Sequence, residues 1–141
     1  MFVDTRFHVN CVAKDVKIRR LDDYWEHVLQ KEQVFLLKID VYGFEDFVIQ
    51  GGIRMFEQSP PLFILLEFSP FRAKEYNVDA KQILKDLIGF GYRIKSIHDN
   101  SEISPKNTDA WDALFESTTS ISLHLKHLVS LGKYVKGEIS F

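Results

Sequence analysis

The sequence predicts an α/β domain built on a parallel sheet, and three observations lead there. Two apolar runs, residues 34–39 (VFLLKI) and 62–68 (LFILLEF), have the length of strands and little polar alternation. That pattern suits strands buried on both faces of a parallel sheet. Between the runs, apolar residues recur at helical spacing, and a strand–helix–strand unit of this kind is right-handed in nearly all known cases. After the second run comes the most regular helix of the chain, followed by a third strand pattern.

The first run carries the chemistry. It breaks at Tyr42-Gly43, and Phe44 opens helical spacing. Asp40 therefore falls near the carboxyl end of an interior strand, where open α/β sheets form their ligand crevice. A carboxylate at such a place is costly unless it is paired, hydrogen-bonded or engaged with a ligand.

Upstream, residues 1–10 alternate loosely through Phe2, Phe7 and Val9, and residues 16–21 alternate as a short strand. Asp22 or Asp23 suits the cap of a helix over residues 24–31, with Trp25, Val28 and Leu29 on one face. After Gly43, the positions Phe44, Phe47, Val48, Met55 and Phe56 make one helical stripe with Gly51-Gly52 inside it, ended by Pro60-Pro61. Residues 69–77 read as a loop around Pro70. Asp79 caps the regular helix, in which Ala80, Ile83, Leu84, Leu87 and Ile88 share a face and Gly89 and Gly91 signal the stop. Residues 92–97 read as a strand, 98–108 as turns and 109–115 as a short helix. Residues 120–125 alternate as a strand returning against 92–97, and 126–141 read as a peripheral tail.

Composition bounds the function. At 141 residues with 45% hydrophobic and 27% charged residues, the chain reads as one soluble globular domain. A net charge of -2 gives no electrostatic reason to expect nucleic acid or an acidic membrane surface. The aromatic residues, mostly Phe, lack basic interleaving and read as core. No apolar run approaches a membrane span or a signal peptide. The single cysteine, Cys11, excludes an internal disulfide, reads as a small buried hydrophobe and suits a reducing, cytoplasmic setting. His124 and His127 do not share a face of a strand, so no metal site is expected. His98 beside Asp99 reads as a solvated turn.

The pieces Arg20-Leu21-Asp22-Asp23, Leu37-Lys38-Ile39-Asp40-Val41-Tyr42-Gly43-Phe44-Glu45 and Val48-Ile49-Gln50-Gly51-Gly52, followed by the strand ending at Glu67, occur in that order. Together they resemble the FkbM family of S-adenosylmethionine-dependent methyltransferases, whose signature runs approximately L-K-I-D-V-E-G-x-E. The resemblance covers residues 16–125, best over 16–98. It implies a Rossmann-like methyltransferase fold, here the C-terminal half of a mostly parallel sheet with helices on both faces and a terminal antiparallel hairpin. Tyr42 stands where the family usually has glutamate. Nothing in the chain resembles the glycine-rich turn and acidic strand end of the family's first half, which hold the methionine and ribose parts of the cofactor, so the chain reads as truncated at its N-terminus and its activity alone stays open. Gly89-Phe90-Gly91 follows a helix and precedes a strand, the reverse of a cofactor loop.

The resemblance implies O-methylation of a sugar or secondary-metabolite hydroxyl, with S-adenosylmethionine as cofactor. Asp40 would be the catalytic carboxylate, accepting the acceptor's proton, orienting it or helping to bind a metal; its plainer role is to cap the following helix through the amides of Gly43 and Phe44. Lys38, Tyr42, Gly43, Glu45 and Glu67 are the candidate substrate- and cofactor-binding residues. Lys38 would neutralise an acid, Tyr42 line the acceptor pocket or merely pack, and Glu45 cap or bind. Glu67 would face the same crevice or hydrogen-bond a neighbouring loop. The alternative is a non-catalytic relative serving as a binding or assembly module, a homodimer joined through an exposed sheet edge. Phosphoryl chemistry at Asp40 would need a second aspartate or a phosphate loop, and neither is evident.

Overall fold

The computed structural model describes residues 13–139. The expected strand in residues 1–10 and Cys11 lie outside that range. Four strands, β1 (Leu36–Ile39), β2 (Phe63–Phe68), β3 (Tyr92–Ser96) and β4 (Ile121–His127), form one sheet in the order β1-β2-β4-β3. β1 and β2 are parallel, with Ile39 opposite Leu66. β4 inserts between β2 and β3 and runs antiparallel to both, with Leu125 opposite Ile64 on one side and Ile94 on the other. The fold class is therefore α/β as expected, but the sheet is mixed, because β4 takes the place where a parallel pair would have formed.

One sheet face is the core. Ile64, Leu66 and Phe68 of β2, Leu123 and Leu125 of β4 and Ile94 of β3 are fully buried there. They pack in one cluster with side chains from α1 (Leu21–His27), α2 (Glu45–Gln50), α3 (Ile53–Gln58), α4 (Pro70–Glu75), α5 (Ala80–Gly89) and α6 (Thr108–Glu116). The opposite face is largely open among the described residues: Leu36 and Leu65 are 48% and 36% exposed. It is covered only at its amino-terminal end, where Phe35 packs on Phe63 at 5.2 Å and Tyr134 of α7 (Leu128–Val135) packs on Phe35.

Among the described residues β1 is the edge strand of the sheet. Its apolar run reads as doubly buried, yet its outer side pairs with no described strand and Leu36 and Lys38 face outward. Residues 16–20 do not form a strand, since no described strand pairs with them, and Leu21 already begins α1. The single helix expected after Gly43 is two, α2 and α3, broken at Gly51-Gly52. Space explains the break: a Cβ on Gly52 would lie 2.8 Å from Leu21 Cδ2, so this backbone approaches α1 closely. The expected loop at 69–77 contains α4, which Pro70 starts at a position where its missing N–H costs nothing. The expected tail carries α7.

Asp79 caps α5 as read from sequence, accepting from the amides of Lys81 and Gln82. Asp22 does not cap its own helix. Its buried carboxylate reaches α3, accepting from the amides of Arg54 at 3.3 Å and Met55 at 3.0 Å. Those are the two amides a capping side chain ordinarily serves, and Gly52, at the cap position, has no side chain to offer. Arg54 completes the join, with its guanidinium 3.1 Å from Glu26 and 3.8 Å from Asp22.

His127 makes the fold sensitive to pH. Its Nδ1 accepts from the Ser130 amide at 3.2 Å and caps α7, so Nε2 carries the proton and donates to the Phe90 carbonyl at 2.9 Å. Burial holds its pKa below the ordinary value, against the opposing hydrogen bond to Phe90 and with a smaller push from Lys133. Protonation would leave the Ser130 amide facing a second donor. With the native pKa depressed, the unfolded chain binds the proton first, so this contribution is complete above about pH 6.5 and is lost as pH falls below it. Urea midpoints are expected to fall between pH 7.5 and 5.5, with a smaller fall in His127→Gln; an unchanged slope in the variant contradicts the assignment.

Candidate active-site crevice

The strand end at Asp40 leads into a tight turn. Tyr42 has φ of 50° and Gly43 of 97°, both in the left-handed region. A bulky residue held there is uncommon, and such strain concentrates at functional positions. The turn presents the Tyr42 ring to solvent at 65% exposure. Gly43 is forced twice over: its φ disfavours any side chain, and a Cβ would sit 2.8 Å from Cβ of Arg72 on α4.

Of the two amides expected to bind Asp40, that of Gly43 is bound by Glu45 and that of Phe44 by the Val41 carbonyl, and α2 has no side-chain cap. Glu45 Oε1 accepts from the Gly43 amide at 3.0 Å, and the whole residue is buried. Its Oε2 has no hydrogen-bond partner among the described residues. Among the described residues Asp40 pairs with Lys38, whose Nζ lies 3.7 Å from Oδ2; their side chains are 40% and 64% exposed. An ion pair so open to solvent contributes little and leaves the carboxylate available.

Glu67 stands beside Asp40. Ile39 is opposite Leu66, so the next residue on each strand, Asp40 and Glu67, is presented on the same open face at the carboxyl ends of the parallel pair. Ser122 of β4 donates to Glu67 Oε1 at 2.6 Å, so the expected structural hydrogen bond comes from a strand and not a loop. Deeper, the hydroxyls of buried Ser69 and of Ser120 hydrogen-bond each other. The serines were not legible in sequence, because nothing local signals that β4 would lie against β2.

Around the turn, on the α1 and α2 side, lies a largely apolar groove of about 910 Å³ lined by Tyr24, Val41, Phe44, Phe47 and Val48, with Arg19 and Arg20 at hand. Asp40 is not among its lining residues. A second cavity of about 970 Å³, bordered by Phe56, Phe90 and His127, lies at the opposite end of the parallel strands. His124 and His127 fall on opposite faces of β4, as a period of two requires. No group of three or more metal-ligating side chains occurs among the described residues. No described helix is long and apolar enough to cross a membrane.

Against known families, the methyltransferase FkbM domain matches residues 5–94, nearly two thirds of the chain. This chain belongs to the FkbM methyltransferase domain family. The matched span runs from before α1 into β3 and contains both Asp40 and Glu67. No curated protein matched in the search by sequence, and no solved structure matched in the search by fold. Methyltransferases of this kind typically use S-adenosylmethionine, which combines a sulfonium, an ammonium, a carboxylate and a flat apolar base. Were it bound here, Asp40 and Glu67 would meet its cations, Lys38 its carboxylate and the aromatic groove its flat ring.

Proposed function

We propose that the chain is a single methyltransferase domain, residues 1–141, which methylates a hydroxyl oxygen of a small molecule, a sugar or a secondary metabolite. When bound, S-adenosylmethionine supplies an electrophilic methyl group on sulfur. The observation that carries the reading is Asp40. It lies in the family-matched span at a strand end, and the Gly43 amide that it would otherwise serve is bound by Glu45.

In this reading Asp40 accepts the hydroxyl proton of the acceptor, work that requires a carboxylate within hydrogen-bond reach. Lys38 holds a positive charge beside it and binds anionic groups. Glu67, oriented by Ser122, keeps one carboxylate oxygen for a ligand hydroxyl or ammonium. Tyr42 covers the acceptor from the rim and excludes water. Gly43 and Glu45 hold the turn that aims Asp40, by conformation and by the buried hydrogen bond respectively. The single cysteine supports a reducing, cytoplasmic setting.

Calorimetric titration of the full chain with S-adenosylmethionine tests this. Saturable binding is expected, weakened at least tenfold by Asp40→Asn with an unchanged melting temperature. A second reading is favoured by one observation: the outer side of β1 pairs with no described strand, and Leu36 is exposed there. Such edges pair with other chains. Absence of S-adenosylmethionine binding, with concentration-dependent dimerisation abolished by Leu36→Lys, would establish a binding or assembly module instead.

A further inference from the structure

The open sheet face carries a second feature, away from the crevice, that methyl transfer does not use. Arg93 and Lys95 project from β3, and His124 and Lys126 from β4. The register puts Arg93 opposite Lys126 and Lys95 opposite His124. Basic groups thus face each other across an antiparallel pair, an arrangement that destabilises a sheet when both are charged. The four line a concavity of about 310 Å³ together with Asn100 and Leu128.

One acid offsets part of this charge: Glu102 is bridged to Lys95 through the backbone and feels the charges of both Arg93 and Lys95. Glu102 binds Arg93 through two hydrogen bonds, at 2.9 and 3.3 Å. Lys95, His124 and Lys126 form no ion pair among the described residues. On β2, Phe63 stands opposite Lys126 and Leu65 opposite His124, both apolar. Glu67 faces Ser122 and is hydrogen-bonded to it, and Lys38 on β1 adds a further cation beyond Leu65. Partial burial, then Lys126 and Lys95, push the His124 pKa down, so these groups are close enough to act on one another. Lys95, Asn100, His124 and Lys126 also lie beyond residues 5–94, outside the span that the family accounts for.

We propose that this concavity binds a phosphate group, carried either by inorganic phosphate or by a small phosphate monoester. A phosphate accepts hydrogen bonds from several donors at once, and Lys95, Lys126, the Asn100 amide and protonated His124 are donors converging on one hollow. An anion there converts mutual repulsion into shared attraction, which accounts for like charges being set opposite each other. The volume suits a phosphate with a short substituent and not a large ligand.

The test is an NMR pH titration of the full chain with inorganic phosphate, ionic strength held constant with sodium chloride. The His124 midpoint is expected to rise by about half a unit or more while that of His127 stays. By calorimetry, Lys95→Gln and Lys126→Gln are each expected to weaken phosphate binding at least fivefold, with melting temperatures equal to or above wild type. Lys85→Gln, on α5, is expected to change nothing. Glycerol phosphate binding more tightly than inorganic phosphate identifies a monoester; equal or weaker binding identifies the free ion. An unmoved His124, the same shift with chloride alone, or an equal loss in Lys85→Gln overturns the proposal. The wild-type His124 titration decides it even if a lysine variant fails to fold.

Discussion

Replacing Asp22 with alanine is expected to lower the melting temperature by about 10 °C. Asp22 serves two amides of α3 from another helix, in full burial. Loss of a capping side chain costs about 1–2 kcal/mol, and stranding a buried donor about 1–3 kcal/mol. Together these come to about 3 kcal/mol, which for a chain of this length converts to the stated shift. Arg54 would also lose one of the three acids around it. Asp22→Asn keeps an acceptor and is expected to recover roughly half of the loss. Calorimetric melts of the two variants check this, and equal destabilisation would show that the charge, not the cap, matters.

Gly43→Ala is expected to cost about 2–4 kcal/mol and to impair the crevice as well. The backbone there has φ of 97°, and the new methyl would press on Cβ and the backbone carbon of Arg72, at 2.8 and 3.0 Å. Neither is the far end of a flexible side chain, so the turn or α4 must move. Movement of the turn shifts Asp40 and Tyr42 and breaks the geometry of the Gly43–Glu45 hydrogen bond. Gly89→Ala is the control. It ends α5 with open space around it, and alanine there is expected to be neutral or to stabilise by up to about 1 kcal/mol. Urea unfolding of both variants measures the difference; similar effects would contradict the steric account.

The parts of the fold legible in sequence are those decided locally. Asp79 caps the helix that follows it, and apolar spacing located α5 and β2 almost to the residue. The Tyr42-Gly43 break was legible because only a turn tolerates it. What was misread depended on partners distant in sequence. The apolar run at 34–39 has the composition of an interior strand, but burial on both sides needs a neighbour that no described residue provides. Asp22 resembles a local cap, and only the approach of Gly52 to Leu21 makes α3 its target. Gly51-Gly52 read as tolerated inside a helix because its spacing kept the apolar stripe in phase. At the candidate site, sequence placed Asp40 and Glu67 at the ends of neighbouring strands, and the register Ile39 opposite Leu66 sets the next position of each strand on one face. The division of work between Asp40 and Glu45 was not legible, since either carboxylate could reach the Gly43 amide.

The most direct test of a methyl-donor crevice at the carboxyl ends of β1 and β2 is to map where S-adenosylmethionine perturbs the backbone amide spectrum of the full chain. The expected result is a set of shifts confined to residues 38–45, Glu67 and the adjoining aromatic groove. Shifts gathered instead around Phe56, Phe90 and His127 at the other end of the sheet, or no shifts at saturating ligand, would contradict it.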